Sequence, residues 1–203
     1  SLRRYGVDTG KIVRGGDRVG IYFNEKGASQ RSSICTYDRA HSAISEAKKE
    51  DFDWESIFSG AEWFHFTGIT PALSENVLEI CREACQVAKK KGIKISCDVN
   101  YRSKLWTKEA AREAMTELSE YIDLILINEE DAKTVFGIQA DKTDVHSGKL
   151  NKEGYEEVAK KLMEQFRFSE VAITLRESKS ASDNDWSGLL YDCLLYTSDA
   201  ADE

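Results

Sequence analysis

Polar side chains that can bind an anionic ligand stand at the ends of four predicted strands. The strand predicted at 61–66 ends at Thr67 and Gly68, and the strand at 93–99 ends at Asp98, Asn100, Tyr101 and Arg102. The strand at 122–127 ends at Asn128, Glu129, Glu130 and Asp131, and the strand at 170–175 ends at Thr174 and Arg176. Arginine binds carboxylates and phosphates through a planar fork, and Asn128 with the acids after it can orient a hydrated Mg²⁺. Each cluster alone is explained as well by ordinary turn and cap residues. Four clusters at one sheet edge favour a site for an anionic, phosphorylated ligand, because ligands bind outside the carboxyl ends of parallel strands.

The elements that must position these groups alternate between strands and helices from residue 61 to residue 175. Apolar residues recur at helical spacing up to Ala88, and Pro71 after Thr70 predicts that this helix opens there. Thr107 is a good N-cap for the next helix, and residues 129–136 and 152–166 are helical stretches as well. This alternation is typical of βαβ units on a parallel sheet flanked by helices.

The first 45 residues break this alternation. Residues 18–23 and 33–37 are short strand-like runs joined by a polar connection that contains Gly27, which predicts an antiparallel pair. We therefore divide the chain into lid strands with their connection at 1–45 and an incomplete α/β core at 46–192. Residues 193–203 match neither part, and we expect them to be a disordered or non-native tail.

Composition and charge exclude several classes of function. The 203 residues include 28 Lys and Arg against 36 Asp and Glu, for a formal charge of −8. Such a chain is a poor general binder of nucleic acid, because that affinity depends on neutralising phosphates. No apolar run approaches the roughly 20 residues that cross a bilayer, and the five cysteines include no C-x-x-C pair. We expect a cytoplasmic protein with reduced thiols and with neither nucleic acid nor membrane as a partner.

Six stretches of the chain resemble the ribokinase-like, or phosphofructokinase-B type, sugar kinases. They are Gly20–Phe23, Tyr37–Ala43, Asp98–Arg102, Leu105 with Trp106, Asn128–Ala132 and Thr174–Ser178. Within that family, the Asp-Val-Asn-Tyr-Arg sequence at 98–102 and the Tyr-x-Arg segment at 37–39 are most similar to the ketodeoxygluconate branch. The similarity extends over roughly residues 1 to 192.

The resemblance implies an α/β core with a small antiparallel β lid, and transfer of the ATP γ-phosphoryl group to 2-keto-3-deoxygluconate to give the 6-phosphate. It implies that Tyr22, Tyr37 and Arg39 touch the sugar acid from the lid, and that Arg102 faces both the substrate and the transferring phosphate. The residues implied on the ATP and phosphate side are Asn100, Tyr101, Arg102, Asn128, Thr174 and Arg176. It further implies Mg²⁺, held through water near Asp131, a monovalent cation, and a homodimer formed through the lid.

The general base of the reaction is missing from this set. The family has it as an aspartate after a glycine-rich turn near the C-terminus, so we expect it beyond residue 192 and expect this chain to be inactive alone. Two alternatives stay open, namely a kinase of a neutral sugar such as fructose and a non-catalytic sugar-binding or dimerisation module. Without the resemblance, hairpin packing is the simpler explanation of Tyr22 and Tyr37.

Overall fold

The computed structural model describes residues 2–27, 31, 33–140, 152–178, 184–192 and 194–199, and it contains two sheets. The strands are β1 (Ile21–Glu25), β2 (Ile34–Asp38), β3 (Trp63–Thr67), β4 (Lys94–Asp98), β5 (Leu124–Ile127), β6 (Glu170–Ser178), β7 (Asn184–Tyr191) and β8 (Leu195–Asp199). The helices are α1 (Trp54–Ile57), α2 (Glu75–Lys90), α3 (Lys108–Leu118), α4 (Glu129–Asp131, continued by a π-helical turn Ala132–Phe136) and α5 (Lys152–Phe166). Among the described helices, none combines the length and the apolar character of a membrane span.

The large sheet has the strand order β3-β4-β5-β6-β7-β8. Strands β3 to β6 run parallel, which confirms the predicted parallel sheet, and β7 and β8 extend it in antiparallel fashion. Thr67 is paired with Asp98, and Ile127 with Ile173. The carboxyl ends of β3, β4 and β5, and the polar groups that follow them, therefore meet at one edge of the sheet. The prediction that the strand from residue 170 ends at 175 is wrong, because β6 extends to Ser178 and Thr174 and Arg176 lie within it.

The small sheet consists of β1 and β2 alone, in the predicted antiparallel arrangement. We call the described part of residues 21–40, which is the two strands and the two residues after β2, the lid. Residues 18–20, which the sequence placed in the first strand, precede β1 instead.

Buried apolar side chains hold the helices against the large sheet. Strand β4 is buried on both faces, since Ile95, Ser96 and Cys97 are all nearly inaccessible. The inner face of α2 repeats at helical spacing and consists of Val77, Ile80, Cys81, Ala84, Cys85 and Ala88. Burying one of the larger side chains, such as Ile80 or Ile95, stabilises the fold by roughly 1.5–3 kcal/mol. The core therefore fixes the positions of the strand ends that form the site.

Helix starts test the capping predictions directly. Thr107 accepts a hydrogen bond from the Ala110 N–H, so the predicted N-cap of α3 is confirmed. The prediction for α2 was wrong in detail, because Pro71 opens only a 3-10 turn that ends at Leu73. The N-cap is Ser74, whose hydroxyl accepts from the Val77 N–H at 3.3 Å and supplies an acceptor that a proline cannot.

The C-terminal stretch differs most from expectation. Strand β7 spans Asn184–Tyr191, and β8 pairs with it from Leu195 to Asp199. The prediction of disorder in the tail at 193–203 is therefore wrong for residues 195–199, because backbone pairing with β7 forms a strand without any apolar pattern. That this tail is non-native stays a prediction.

Candidate active site

Three side chains form a row on one face of the lid. Tyr22 and Tyr37 are direct cross-strand partners, and their ring centroids are 6.1 Å apart. The Arg39 guanidinium carbon lies 4.2 Å from the centroid of the Tyr37 ring, a distance at which a cation is attracted by the ring face. The two tyrosine rings form an aromatic surface, and the guanidinium of Arg39 places a positive charge at its end. One ligand could contact both.

A cavity of about 650 Å³ separates the lid from the loop after β4. Its lining residues are Ile34, Cys35, Thr36, Tyr37, Arg39 and Ala40 from the lid side, and Arg102, Ser103, Lys104 and Leu105 from the core side. The described residues of this lining include three cations and no acid, although the chain as a whole has a net charge of −8. The cavity therefore favours an anion.

Arg102 lies at the centre of the charged groups of the site. Its Nη1 donates to the Tyr101 carbonyl at 2.8 Å. Hydrogen bonding with Cys35 is the main cause of a raised pKa of the Tyr37 phenol, whereas the charges of Arg39 and Arg102 act in the opposite direction. Burial raises the pKa of the Asp98 carboxyl, and here too Arg102 lowers it part of the way. The charge of Arg102 thus acts on groups of the lid and of the sheet edge together.

The ends of β3 and β4 are held in contact by backbone fit. The Gly68 N–H donates to the Asp98 carbonyl at 2.8 Å, and a Cβ at Gly68 would lie 2.1 Å from the Val99 carbonyl oxygen. Asn100 has φ 42°, which is uncommon outside glycine, and its Nδ2 donates to Thr67 Oγ1 at 3.2 Å. This close contact between the two strand ends turns the chain after β4, and Arg102, which follows, lines the cavity.

A second polar network lies at the ends of β4 and β5. The Asn128 side chain caps α4 by accepting from the Asp131 N–H at 2.7 Å, and its Nδ2 donates to Asp131 Oδ2 at 3.1 Å. The Tyr101 N–H donates to the same oxygen at 3.1 Å. Burial raises the pKa of the Asp131 carboxyl, while the Tyr101 N–H, Arg102 and Asn128 lower it. Asp131 therefore ties the segment around Arg102 to α4.

Hydrogen bonds occupy part of the oxygen atoms that this network could offer to Mg²⁺. No group of three or more histidine, cysteine or acidic side chains in the described part of the chain is arranged to hold a metal ion. Asp131 Oδ2 already accepts two hydrogen bonds and Asn128 Oδ1 accepts one. Mg²⁺ keeps several of its waters in most protein sites, so a contact through water is compatible with the hydrogen bonds that these residues make.

The predicted site residues thus separate into three groups. Tyr37, Arg39 and Arg102 line one cavity, and Tyr22 adjoins it through Tyr37. Asn100, Tyr101 and Asn128 belong to the hydrogen-bonded network behind Arg102. Thr174 and Arg176 lie within β6, where their backbones pair with Gly188 and Trp186 of β7.

Among the lining residues that were not predicted as part of the site, Lys104 and Cys35 have side chains that can do chemistry. Lys104 lies two positions after Arg102 and also lines an adjoining hollow of about 390 Å³. Cys35 lies in β2, where the sequence analysis treated it as one more reduced thiol. An exposed lysine in a polar loop has no distinguishing signal, but the alternation of β2 could have indicated that Cys35 shares the face of Tyr37.

The fold and site define a class: an α/β protein with a lid over an anion-binding sheet edge. The model of the pfkB family of carbohydrate kinases matches residues 1–177, and this chain belongs to that family. The predicted family and fold class are both confirmed.

Several proteins of known name or known structure are similar to this chain. A solved structure of 2-dehydro-3-deoxygluconokinase from Thermotoga maritima is 49% identical, with a TM-score of 0.88 over 97% of this chain and 59% of its own. A protein of Haloferax volcanii named 2-dehydro-3-deoxygalactonokinase is 31% identical over 99% of this chain and 58% of its own length. A putative ribokinase II from E. coli in complex with ATP and Mg²⁺ is 14% identical with a TM-score of 0.60, which shows the fold alone. The chain thus spans less than two thirds of these relatives.

Proposed function

We propose that the whole protein is a sugar-acid kinase that transfers the γ-phosphoryl group of ATP to 2-keto-3-deoxygluconate and forms the 6-phosphate. The observation that supports it most is the cavity in which Tyr37, Arg39, Arg102 and Lys104 meet. A ketodeoxy acid has one carboxylate, which an arginine fork binds, and a carbon skeleton that packs on tyrosine. The names of the Thermotoga and Haloferax relatives agree with this substrate class.

In this proposal the residues of the chain act by positioning and by neutralising charge, which is most of what phosphoryl transfer needs. Tyr22 and Tyr37 pack against the sugar, Arg39 binds its carboxylate, and Arg102 contacts both the sugar and the transferring phosphate. Asn100, Tyr101 and Asn128 hold the phosphate side of the edge, and Thr174 and Arg176 contact the nucleotide. The closed lid excludes water, which favours transfer to the sugar over hydrolysis of ATP.

The cofactors of this proposal are ATP and Mg²⁺, with a monovalent cation as a further candidate. When bound, Mg²⁺ neutralises the charge on the phosphates. Asp131 is the residue of this chain that would hold it, through a water on its carboxylate. The buried free thiols of Cys81, Cys85 and Cys97 support a location in the reducing cytoplasm.

Calorimetric titration of the chain with 2-keto-3-deoxygluconate tests the proposal, and fructose is the neutral comparison. We expect binding of the acid to be preferred, and Arg39→Gln or Arg102→Gln to weaken it about tenfold or more, the effect of losing a charge-assisted hydrogen bond. Arg31→Gln is the matched control, because Arg31 is a lid arginine that pairs with Glu25 outside the cavity lining. Equal binding of fructose, or unchanged binding by both variants, would contradict an acidic substrate.

A homodimer formed through the lid belongs to the same proposal. Ile21 and Phe23 alternate onto the face of the lid opposite to the tyrosines and are 44% and 62% exposed. Exposed apolar faces of this kind mark interfaces between proteins. Light scattering is expected to give a dimer that Phe23→Glu dissociates; a wild-type chain that stays monomeric at high concentration would contradict the dimer.

A further inference from the structure

One arginine outside the proposed site contacts the lid on both sides of Arg39. Arg18 Nη2 lies 2.8 Å from Asp38 Oδ2, and Nη1 donates to Asp38 Oδ1 at 2.9 Å. The same guanidinium donates to two backbone carbonyls, from Nη2 to Asp38 at 3.1 Å and from Nη1 to Ala40 at 3.0 Å. The two carbonyls belong to the residues immediately before and after Arg39, so the fork fixes the backbone from which Arg39 projects.

The backbone of the same segment forms a second connection to this turn. The Ala43 N–H donates to the Arg18 carbonyl at 2.7 Å. Gly16, with φ 66°, lies so close to Ala43 that a Cβ would be 2.6 Å from the Ala43 Cα. Residues 16–20 are therefore packed closely along the turn 39–43, and the side chain of Arg18 completes a connection that the backbone begins.

The turn needs such support because its conformation is unfavourable. His41 has φ 54°, in the left-handed region that favours glycine. Such a backbone conformation is stable only when contacts with the surrounding residues hold it. Hydrogen bonds that support the turn from its C-terminal side include those from the Ser42 N–H to the Arg39 carbonyl at 3.2 Å and from Ser45 Oγ to the Ser42 carbonyl at 2.9 Å, and His41 Nδ1 lies 2.9 Å from Glu46 Oε1. Arg18 adds the contacts on the side of the lid.

We propose that Arg18 is a positioning residue for Arg39, which it keeps directed into the cavity and separated from its neighbour Asp38. The proposal rests on the proposed function, since it assigns Arg39 the ligand carboxylate. Without Arg18, the Asp38 carboxylate loses its cation and competes with the ligand for the adjacent Arg39. A lysine cannot replace the fork, because one ammonium does not contact the carboxylate and both carbonyls in a plane.

The first test needs no ligand. Amide hydrogen exchange, followed by NMR, is compared in the wild-type chain and in Arg18→Gln, Arg18→Lys and Arg31→Gln. Loss of Arg18 is expected to speed exchange of the Ser42 and Ala43 amides about tenfold, while the core amides of β4 stay protected. Arg31→Gln, the control at the far end of the lid, should leave those two amides unchanged. Unchanged exchange at Ser42 and Ala43 in Arg18→Gln would overturn the proposal.

The second test separates positioning from a general structural role. We expect Arg18→Gln to weaken binding of 2-keto-3-deoxygluconate about tenfold, with a much smaller effect on the same sugar lacking its carboxylate. Arg18→Lys should restore only part of the preference for the acid. An equal loss for both ligands would overturn a role directed at Arg39. A wild-type chain that binds neither ligand would contradict the sugar-acid assignment instead, and the exchange measurement would still decide whether Arg18 holds the turn.

Discussion

At the scale of single residues, Lys104 is the side chain that most extends the site beyond the predicted residues. It lines the main cavity and the adjoining hollow, as Arg39 does. We expect Lys104→Met to weaken binding of the sugar acid about threefold to tenfold, because one cation near the carboxylate is lost at an exposed position. Lys108→Met, four residues further and outside both linings, is the control. Equal effects of the two substitutions in a titration would refute a specific role.

The cysteines give a readout of the site at the same scale. Burial raises the pKa of the Cys81 and Cys85 thiols to about 12 and that of Cys97 well above its usual range, so these thiols have little thiolate at neutral pH. Cys35 is only half-buried and lines the cavity. Iodoacetamide should alkylate Cys35 before the other three, and sugar acid should slow that reaction.

Peptide mass spectrometry identifies each labelled cysteine. The unfolded chain, in which all thiols are accessible, is the control for intrinsic reactivity. Labelling of buried Cys97 as fast as Cys35 would contradict the described core, and labelling of Cys35 that ignores saturating ligand would contradict the position of the site.

At the scale of elements, the close contact between the ends of β3 and β4 leaves no space for a side chain at Gly68. Gly68→Ala must push the Val99 carbonyl away, and we expect it to destabilise the fold by about 1–3 kcal/mol, as overpacking does. Gly188→Ala is the matched control, since a Cβ there meets nothing within 4 Å. Urea unfolding compares the two; a Gly68→Ala variant as stable as the control would mean that the strand ends are free to separate.

The contact between α2 and α3 gives a pH dependence. Arg82 Nη2 donates to Glu117 Oε2 at 2.7 Å, and this bond holds the pKa of Glu117 below its usual 4.5. A lowered carboxyl pKa stabilises the fold above pH 4.5, and this contribution is lost as the pH falls through the folded pKa. Glu117→Gln should therefore be less stable than wild type by about 0.5–1 kcal/mol at neutral pH, because the pair is partly exposed.

That difference should shrink in unfolding curves measured below pH 4.5. Glu113→Gln, on the same helix, provides the control for loss of one surface charge. A difference between wild type and Glu117→Gln that stays constant from neutral to acid pH would show that the ion pair does not contribute.

Elements were predictable where one physical signal dominated. The run at 122–127 is apolar on both faces, and only a strand inside a parallel sheet buries it. Two competing signals misplaced the start of α2, where Pro71 and Ser74 are both helix openers and only the serine offers an acceptor to Val77. Residues 195–199 gave no signal, because an added edge strand depends on the free backbone of β7 rather than on its own side chains.

At the scale of the whole molecule, a cationic cavity in an acidic chain should make binding sensitive to salt. Three cations line the cavity in a chain of charge −8. Raising NaCl from about 0.05 to about 0.5 M should weaken binding of the acid several-fold, because the Debye length falls below the dimensions of the open cavity. Binding of the carboxylate-free analogue should not change. Equal salt effects on both ligands would contradict charge recognition.

The sequence pattern alone did not predict that residues of the lid and of the core line one site. Arg39 and Arg102 are 63 positions apart in the sequence, and the resemblance, not their spacing, predicted that they share a ligand. Lys104 and Arg18 were absent from that prediction, because the roles that we give them depend on distances between segments. Asp131 was predicted near the metal, and the structure shows its Oδ2 accepting from the Tyr101 N–H and from Asn128, while the contact with a metal stays a prediction.

The lid forms a sheet of its own, and the segment that supports its arginine, residues 16–20, directly precedes it. In the proposed function, the lid arginine assigned to the ligand carboxylate and the residues that aim it thus lie in one continuous cassette of fewer than thirty residues. Recombination among related kinases can exchange such a cassette without touching the catalytic half. Such an exchange would replace the lid arginine and its support together while the sheet edge stayed the same.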